Sequence, residues 1–239
     1  MTKSDDPSSL RAEPERRTPL DRAQVVRAAI ELIDEHGAHA LSMRRLGRRL
    51  NVEAMSLYKH VDSRDTLLDG VIAAIIDELF DDPETHLRET DSWSDYLVRV
   101  AHGVRRNALA HPNVFPLVAT RPPEAPWIRP PLRSLPWVES FLLSLRTHGF
   151  DADAAVYTYR AFTSFLLGHL LLEVAALGAD TGPIASPESA HPSGLRLDDY
   201  PNVQELRPKL TENAAAEEFD ESLDNLLNRL QDVRTHGLL

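Results

Sequence analysis

Apolar side chains recur at intervals of three and four residues along most of this 239-residue chain. Such spacing gathers apolar groups on one face of an α-helix. Clear examples begin at Val26, Leu67, Tyr96 and Phe219. No convincing strand pattern and no internal repeat accompanies them. We therefore predict an all-α fold of amphipathic helices joined by polar or proline-rich connections.

Composition and targeting signals narrow the functional classes. The chain contains no cysteine, so disulfides, thiolate nucleophiles and cysteine-ligated zinc are excluded. Residues 1–20 lack the apolar stretch of a secretory signal. The most apolar run, Phe162–Leu177, carries His169 and Glu173 and is too short to span a bilayer. We expect a cytoplasmic protein without a membrane partner.

The formal net charge of −11 at pH 7 hides an uneven distribution. Residues 1–64 hold 12 basic and 10 acidic side chains, whereas residues 65–239 hold 14 and 27. Between residues 41 and 64, six basic side chains face only Glu53 and Asp62. A small basic surface on an acidic body is typical of a nucleic-acid-binding head joined to a separate unit.

The basic stretch has the pattern of a helix-turn-helix. Ser42 is placed to cap a short helix in which Leu46 and Leu50 point inward. Asn51-Val52-Glu53 breaks the pattern, and Ala54–His60 is predicted as a second short helix. Thr18-Pro19 resembles a helix start, and a helix from about Asp21 to Gly37 is predicted to follow it. Ser63 is placed to cap a further helix from Arg64 to Phe80.

A helix that enters the major groove needs short side chains in its first turn, so that its backbone approaches the base edges. Ala54, Met55 and Ser56 meet this need. Side chains suited to phosphate contact follow; they are Tyr58, Lys59, His60, Arg64 and the arginines before the turn. The alternatives are a solvated face for Arg45, Arg48 and Arg49, and core positions for Tyr58 and His60.

Residues Leu20–Phe80 resemble the DNA-binding region of tetracycline-repressor (TetR) family regulators. The stretch LSMRRLGRRLNVEAMSLYKHV, from Leu41 to Val61, followed by Leu67 and Leu68, carries this resemblance. The family pattern is matched over about 50 consecutive positions. The resemblance implies a homodimeric regulator, typically a repressor, that binds a near-palindromic operator on double-stranded DNA and releases it when a small-molecule effector binds.

The resemblance also assigns roles to individual positions. Arg44 and the turn formed by Ala54, Met55 and Ser56 correspond to base-reading positions. The positions that grip the DNA backbone correspond to Tyr58, His60 and Arg64. Lys59 stands where tetracycline repressors have tryptophan, and Ala54 and Met55 replace their glutamine and proline. We therefore expect a different operator sequence.

We predict three segments in the chain. Residues 1–18 form a flexible arm, residues 19–64 the DNA-binding domain, and residues 65–239 a ligand-binding and dimerisation domain. Residues 178–211, rich in Gly, Pro, Ser and Asp, are predicted to be an irregular loop. Eight prolines between Pro112 and Pro136 predict a turn, a short helical piece and an extended segment.

The remaining C-terminal residues are predicted to form four helices. Their approximate bounds are Trp93–Ala110, Trp137–Thr147, Asp153–Leu177 and Ala214–Arg234. The family resemblance implies that the last two helices pair with those of a second protomer in a four-helix bundle. Dimerisation also has a physical reason, because two heads related by a dyad read half-sites about 34 Å apart.

A weaker resemblance to the ligand-binding domain of tetracycline repressors continues past residue 80. It rests on fragments such as Trp93-x-x-Tyr96-Leu97, Ala119-Thr120-Arg121-Pro122 and His148-Gly149-Phe150. Polar drug contacts and metal ligands of those repressors align with Phe80, Val100, Leu117 and Leu172. Because leucine cannot ligate a hard cation, we predict no magnesium-tetracycline site and no other cofactor.

We expect instead an apolar pocket for an apolar or amphipathic effector, oriented by a few polar groups. The candidate lining residues are Phe80, Val100, His102, Val104, Leu117, Thr120, Trp127, Trp137, Phe162, His169 and Leu172. The alternative for each is a place in an ordinary core.

Catalytic and metal motifs are absent from the sequence. There is no Gly-x-Ser-x-Gly, His-Glu-x-x-His or Gly-x-Gly-x-x-Gly. His169 and Glu173, four residues apart, are two ligands at most and are equally explained as a buried hydrogen-bonded pair. We predict a non-enzymatic regulator. The competing hypotheses are a helical enzyme with an accessory DNA-binding head and an architectural DNA-binding protein without an effector.

Overall fold

The computed structural model describes residues 20–88, 90–121, 135–179 and 199–237. Within these ranges the chain forms ten α-helices and no β-strand, which confirms the all-α prediction. The helices are α1 (Arg22–His36), α2 (Met43–Leu50), α3 (Ala54–Leu57), α4 (Arg64–Asp81), α5 (Trp93–Ala110), α6 (Phe115–Thr120), α7 (Leu135–Thr147), α8 (Ala152–Ala176), α9 (Pro201–Leu210) and α10 (Ala215–His236).

Side-chain caps begin the N-terminal helices. The Asp21 carboxylate accepts a hydrogen bond from the Gln24 N–H and forms a capping box with that residue. Ser42 caps α2 and Ser63 caps α4 in the same way, as the sequence predicts. Gly37 ends α1 with a φ of 79°, a conformation that glycine adopts at little cost.

Two hydrophobic cores organise the molecule. The first lies among α1 to α4, residues 20–81, which we call the head, and it includes Ile33, Leu46 and Leu57. The second joins α5, α7, α8 and α10 within residues 93–237, which we call the body; its centre contains Phe141 and Phe162. Helix α6 contributes to both cores.

The structure corrects the predicted loop over residues 178–211. Residues Pro201–Leu210 form α9, whose residues are all exposed. Proline at the first helical position is compatible with helix initiation, and Val203, Leu206 and Leu210 follow at helical spacing. The turn-rich composition of the surrounding sequence obscured this short helix. The remainder of the predicted loop, residues 180–198, lies outside the described residues.

Other predicted boundaries need smaller corrections. The helix predicted at Ala54–His60 ends at Leu57 and continues as a turn. Helix α6 is the short helical piece predicted in the proline-rich segment. The predicted arm, residues 1–18, lies outside the described residues, and so does the Thr18-Pro19 start. Among the described helices, each falls short of the length or the apolarity that spanning a bilayer requires.

Candidate DNA-binding surface and ligand cavity

The α2–turn–α3 unit is held by a close backbone approach. The Val52 N–H donates to the Gly47 carbonyl at 2.9 Å, and Asn51 adopts the left-handed conformation with φ 54°. A Cβ atom on Gly47 would lie 2.8 Å from the Val52 carbonyl oxygen. Only glycine fits there without a backbone shift. Sequence reasoning missed Gly47, although a glycine inside a short helix was a visible signal.

The predicted base-reading residues lie on α2 and α3. Arg44 is exposed near the start of α2, and Met55 is 71% exposed on α3. Ala54 and Ser56 are half-buried beside it, while Leu57 is fully buried and fixes the helix on the head core. The structure therefore presents short or flexible side chains on a rigid support.

The predicted phosphate contacts lie at the end of α3. Tyr58 is 44% exposed, Lys59 is exposed and His60 is half-buried in the turn that follows. Arg64 is different, because its guanidinium donates to the Leu41 and Ala38 carbonyls at 3.0 and 3.1 Å. These bonds tie α4 to the segment before α2. We therefore leave Arg64 out of the proposed DNA surface.

The arginines of α2 also divide into two kinds. Arg49 donates two hydrogen bonds of 2.7 Å to Glu35 and also contacts Glu31 at 3.0 Å, which ties α2 to α1. The hydrogen bond from Arg49 lowers the pKa of Glu35, and these carboxylates in turn raise the pKa of Arg49. Arg44 and Arg48 are exposed. Arg49 thus supports the fold, and Arg44 and Arg48 supply accessible charge.

A cavity of about 60 Å³ lies between the end of α4 and the body. Its walls come from α4, α5, α6, α7 and α8, and none of the described residues that line it is charged. The polar side chains in the lining are Asn107 and Thr163. The Thr163 hydroxyl already donates to the Tyr159 carbonyl at 2.6 Å. The lining residues are Ile75, Ile76, Leu79, Val104, Asn107, Phe115, Val118, Trp137, Thr163, Leu166 and Leu167.

Two of the predicted pocket residues, Val104 and Trp137, line this cavity. Val100 and Phe162 lie in the body core, and Leu117 lies in the head core. Trp127 lies outside the described residues. On α4 the sequence prediction chose Phe80, whereas Ile75, Ile76 and Leu79 line the cavity.

The other predicted pocket residues lie elsewhere. Phe80 is half-buried near the end of α4, and its carbonyl contacts the His86 ring. The Thr120 hydroxyl donates to the Pro116 carbonyl at 2.6 Å. His102 and His169 both pack edge-on against the Phe219 ring. Their positions follow from tertiary packing, which helical spacing does not determine.

The positions aligned with metal ligands do not suit magnesium. Leu117 is buried in the head core, and Leu172 is 75% exposed on α8. Neither side chain offers an oxygen or nitrogen donor. Over the described residues, no group of three or more His, Asp or Glu side chains is arranged to hold a metal ion.

Glu173 does not pair with His169 as the sequence suggested. It accepts two hydrogen bonds from the Arg105 guanidinium, one of them at 3.0 Å. Arg105 also lies over the Phe219 ring, 5.4 Å from its centroid. The pair joins α5 to α8, which gives Glu173 a structural partner.

Comparison with known proteins places both halves of the chain in one family. Residues 25–71 match the family of bacterial regulatory proteins of the tetR type. Residues 85–233 match the tetracyclin repressor-like C-terminal domain. The second match alone covers more than half of the chain.

Two individual relatives are consistent with the family matches. The chain is 30% identical over 194 residues to an HTH-type transcriptional regulator of Saccharopolyspora erythraea, covering 80% of this chain and 78% of the relative. It is also 30% identical over 178 residues to the class D tetracycline repressor protein of Escherichia coli, covering 74% and 77%.

A solved structure shares the fold. The Streptomyces coelicolor TetR family protein ActR, in complex with (S)-DNPA, matches with a TM-score of 0.65 and 26% identity, covering 90% of this chain and 98% of ActR. The helix-turn-helix, the two cores and these relatives lead to one assignment. The chain is a transcriptional regulator that belongs to the tetR family of bacterial regulatory proteins and has a tetracycline repressor-like C-terminal domain.

Proposed function

We propose that this protein is a cytoplasmic homodimeric repressor that binds a near-palindromic operator through α2 and α3. A small, neutral, apolar effector releases it from the DNA. The observation that carries the proposal is the exposed turn of α3 beside the exposed arginines of α2, on a head whose core is fully packed.

The chemistry of this surface suits direct readout in the major groove. Ala54 and Ser56 allow the α3 backbone to approach the bases, and Met55 offers apolar contact to thymine methyl groups. The Arg44 guanidinium matches the two acceptors on a guanine edge. Tyr58, Lys59 and His60 donate to phosphates and fix the orientation of the head.

An exposed stripe on α8 supports the homodimer. Val156, Ser164, Gly168 and Leu172 recur at multiples of four residues, and all are exposed. A Cβ on Gly168 would have no neighbour within 4 Å, so a partner helix has room to approach. Helix α10 packs beside α8 and completes one half of a four-helix bundle. Leu172→Glu should weaken the dimer, as measured by sedimentation.

The effector class follows from the cavity lining. The described lining residues carry no charge and so disfavour ionic ligands, because a desolvated charge needs a partner. The Asn107 side-chain amide, whose Nδ2 donates to the Ile75 carbonyl at 3.5 Å, can also orient a polar group of the ligand. A ligand-bound relative, ActR with (S)-DNPA, supports the use of this domain for an organic molecule.

The test is a titration of duplexes from the DNA that flanks the gene, followed by fluorescence anisotropy at two salt concentrations. We expect roughly a thousandfold preference for one duplex and a steep salt dependence. Weak, uniform binding to every duplex would favour an architectural DNA-binding protein instead. Turnover of a substrate by the purified chain would favour an enzyme with a DNA-binding head.

A further inference from the structure

The segment from His111 to Arg121, which contains α6, lies between the two cores. Val114 and Leu117 pack in the head core. Phe115 and Ala119 pack in the body core. A displacement of this segment therefore changes the contacts of the head and of the body together.

Both ends of the segment are ion-paired to the head. At one end, His111 Nδ1 lies 2.7 Å from Asp34 Oδ2 of α1, and Nε2 lies 3.3 Å from Glu78 Oε2 of α4. At the other end, Arg121 lies 3.4 Å from both Asp65 and Asp69 of α4. The segment thus runs antiparallel to α4 and is tied to it at two points about 20 Å apart.

The His111 end depends on the charge of the ring. A neutral imidazole carries one N–H and can donate to one carboxylate, whereas the imidazolium donates to both. Within the described residues, Asp34 on α1 and Glu78 on α4 are the charged groups that face the ring, and α5 and α6 add none at ion-pair distance. The hydrogen bond to Asp34 raises the pKa of His111 above its ordinary 6.5, against the opposing effect of burial.

Loss of the ring proton leaves one N–H for two carboxylates, so either Asp34 or Glu78 loses its donor. The Oδ1 atom of Asp34 is buried and has no hydrogen-bond partner in the described structure. Its backbone carbonyl accepts a 2.8 Å bond from the Asn113 amide, so the next turn of the segment docks at the same place. The Asp34 side chain is 23% exposed, so it is only partly solvated, and loss of the charged donor weakens the docked arrangement.

The His111–Arg121 segment also forms part of the cavity wall. The cavity volume of about 60 Å³ is far below the ~300 Å³ of the smaller ligand pockets. Phe115 and Val118 of the segment face Ile75 and Leu79 of α4 across it. Helix α6 has 6 residues, whereas α5 has 18 and α8 has 25, so α6 is the shortest wall of the cavity.

We propose that His111 is a positioning residue whose charge holds the His111–Arg121 segment against α4, so that deprotonation of the ring opens the cavity to its ligand. The inference rests on the proposed effector binding and adds proton control to it. Because partner contacts raise the pKa of His111, the link is complete at low pH and is lost as pH rises through that raised value. Ligand affinity should therefore increase with pH.

A ligand-free experiment tests the link itself. Hydrogen–deuterium exchange of peptides spanning residues 111–121 is measured at about pH 6 and pH 9 and corrected for intrinsic exchange. We expect protection to fall roughly tenfold in the wild type and to be low at both pH values in His111→Asn. His148→Asn, which alters a half-buried histidine bonded to the Ser144 and Asp91 carbonyls, should keep the wild-type response.

A second variant, Glu78→Gln, keeps the proposal testable if His111→Asn does not fold. Glu78→Gln leaves Asp34 paired with the ring and removes the second carboxylate, which is half exposed. The loss of protection should then occur at a lower pH than in the wild type. Protection that does not change with pH in the wild type, or that changes equally in His111→Asn, would overturn the proposal.

A binding experiment tests the consequence for the cavity. N-phenyl-1-naphthylamine, a fluorescent apolar probe that stays neutral over this pH range, should bind the wild type more tightly at high pH. His111→Asn should bind it tightly at both pH values. Binding that is independent of pH in both proteins would overturn the link and retain effector binding. No binding by either protein, with exchange still pH-dependent, would contradict the effector function and cavity control together.

Discussion

The head and the body place their functional side chains in opposite ways. The head packs most of its apolar residues in its core and presents Arg44, Met55 and Tyr58 on the outside. The body leaves a gap in its packing beside α4, and the groups suited to ligand binding point inward. A surface that reads DNA needs a rigid support, whereas a site that responds to a ligand needs walls that can separate. Helix α4 serves both regions, because Leu68 lies in the head core and Leu79 lines the cavity.

The largest expected effect is the loss of stability caused by removing a large side chain from the body core, which would disturb the body and leave the head intact. Phe141 is fully buried and packs against four other aromatic rings, among them Trp137 of the cavity wall. Phe141→Ala should lower the free energy of unfolding by about 3–5 kcal/mol. Chemical denaturation measures the change. Leu143→Ala, at an exposed position of the same helix, should change it by less than about 0.5 kcal/mol.

A substitution in the head should destabilise α2 and α3 and leave the body unchanged. Gly47→Ala forces a methyl group against the Val52 carbonyl and should cost about 1–3 kcal/mol through a shift of α3. Hydrogen exchange should show the loss in α2 and α3 and leave the α7 and α8 peptides protected. Arg48→Ala, on the exposed side of α2, serves as the control. Equal loss of protection in head and body would mean that the two cores unfold as one.

A smaller change separates the reading surface from its support. Arg44→Ala should reduce the preference for the operator by roughly tenfold, about 1.4 kcal/mol, and leave the melting temperature unchanged. Arg48→Ala should weaken binding to all duplexes alike, because a phosphate contact carries no sequence information. Anisotropy titrations against the operator and a scrambled duplex distinguish the two. Identical effects of both substitutions would contradict base reading by Arg44.

The smallest expected effect concerns the support of α2. Arg49→Met removes the ion pairs to Glu31 and Glu35 and should lower the melting temperature slightly at neutral pH. Because the pKa of Glu35 is lowered in the folded protein, this contribution exists above its ordinary 4.5 and is lost as pH falls through the lowered value. Melting curves of the two proteins should therefore converge in acid. A difference that persists there would assign Arg49 a role other than ion pairing.

Local patterns in the sequence predicted much of the head. Ser42 and Ser63 cap the helices they were expected to cap, Gly37 has a positive φ, and Leu46 and Leu57 are buried. These features depend on neighbours within a few residues, so the chain itself contains the information. Local patterns do not predict the hydrogen bonds of Arg64, because its acceptors, the Ala38 and Leu41 carbonyls, lie more than twenty residues away.

Local patterns in the sequence did not predict which residues line the cavity. Spacing predicted that Val100, Val104 and Phe162 point inward, and all three pack with the body core. Of these, Val104 reaches the cavity, since the position of a gap depends on how five helices lie against one another. The exposed α9 escaped prediction because the surrounding sequence, rich in Gly, Pro, Ser and Asp, obscured the helical spacing of these ten residues.

The sequence by itself thus determined most of the helices, the α2–turn–α3 unit and the family, because capping, glycine placement and helical spacing act over short distances. The tertiary structure decided which arginines are free, which apolar residues face the cavity, and that His111 meets Asp34 and Glu78. Those outcomes join residues far apart in the chain. No local propensity encodes them, because they follow from the packing of one whole helix against another.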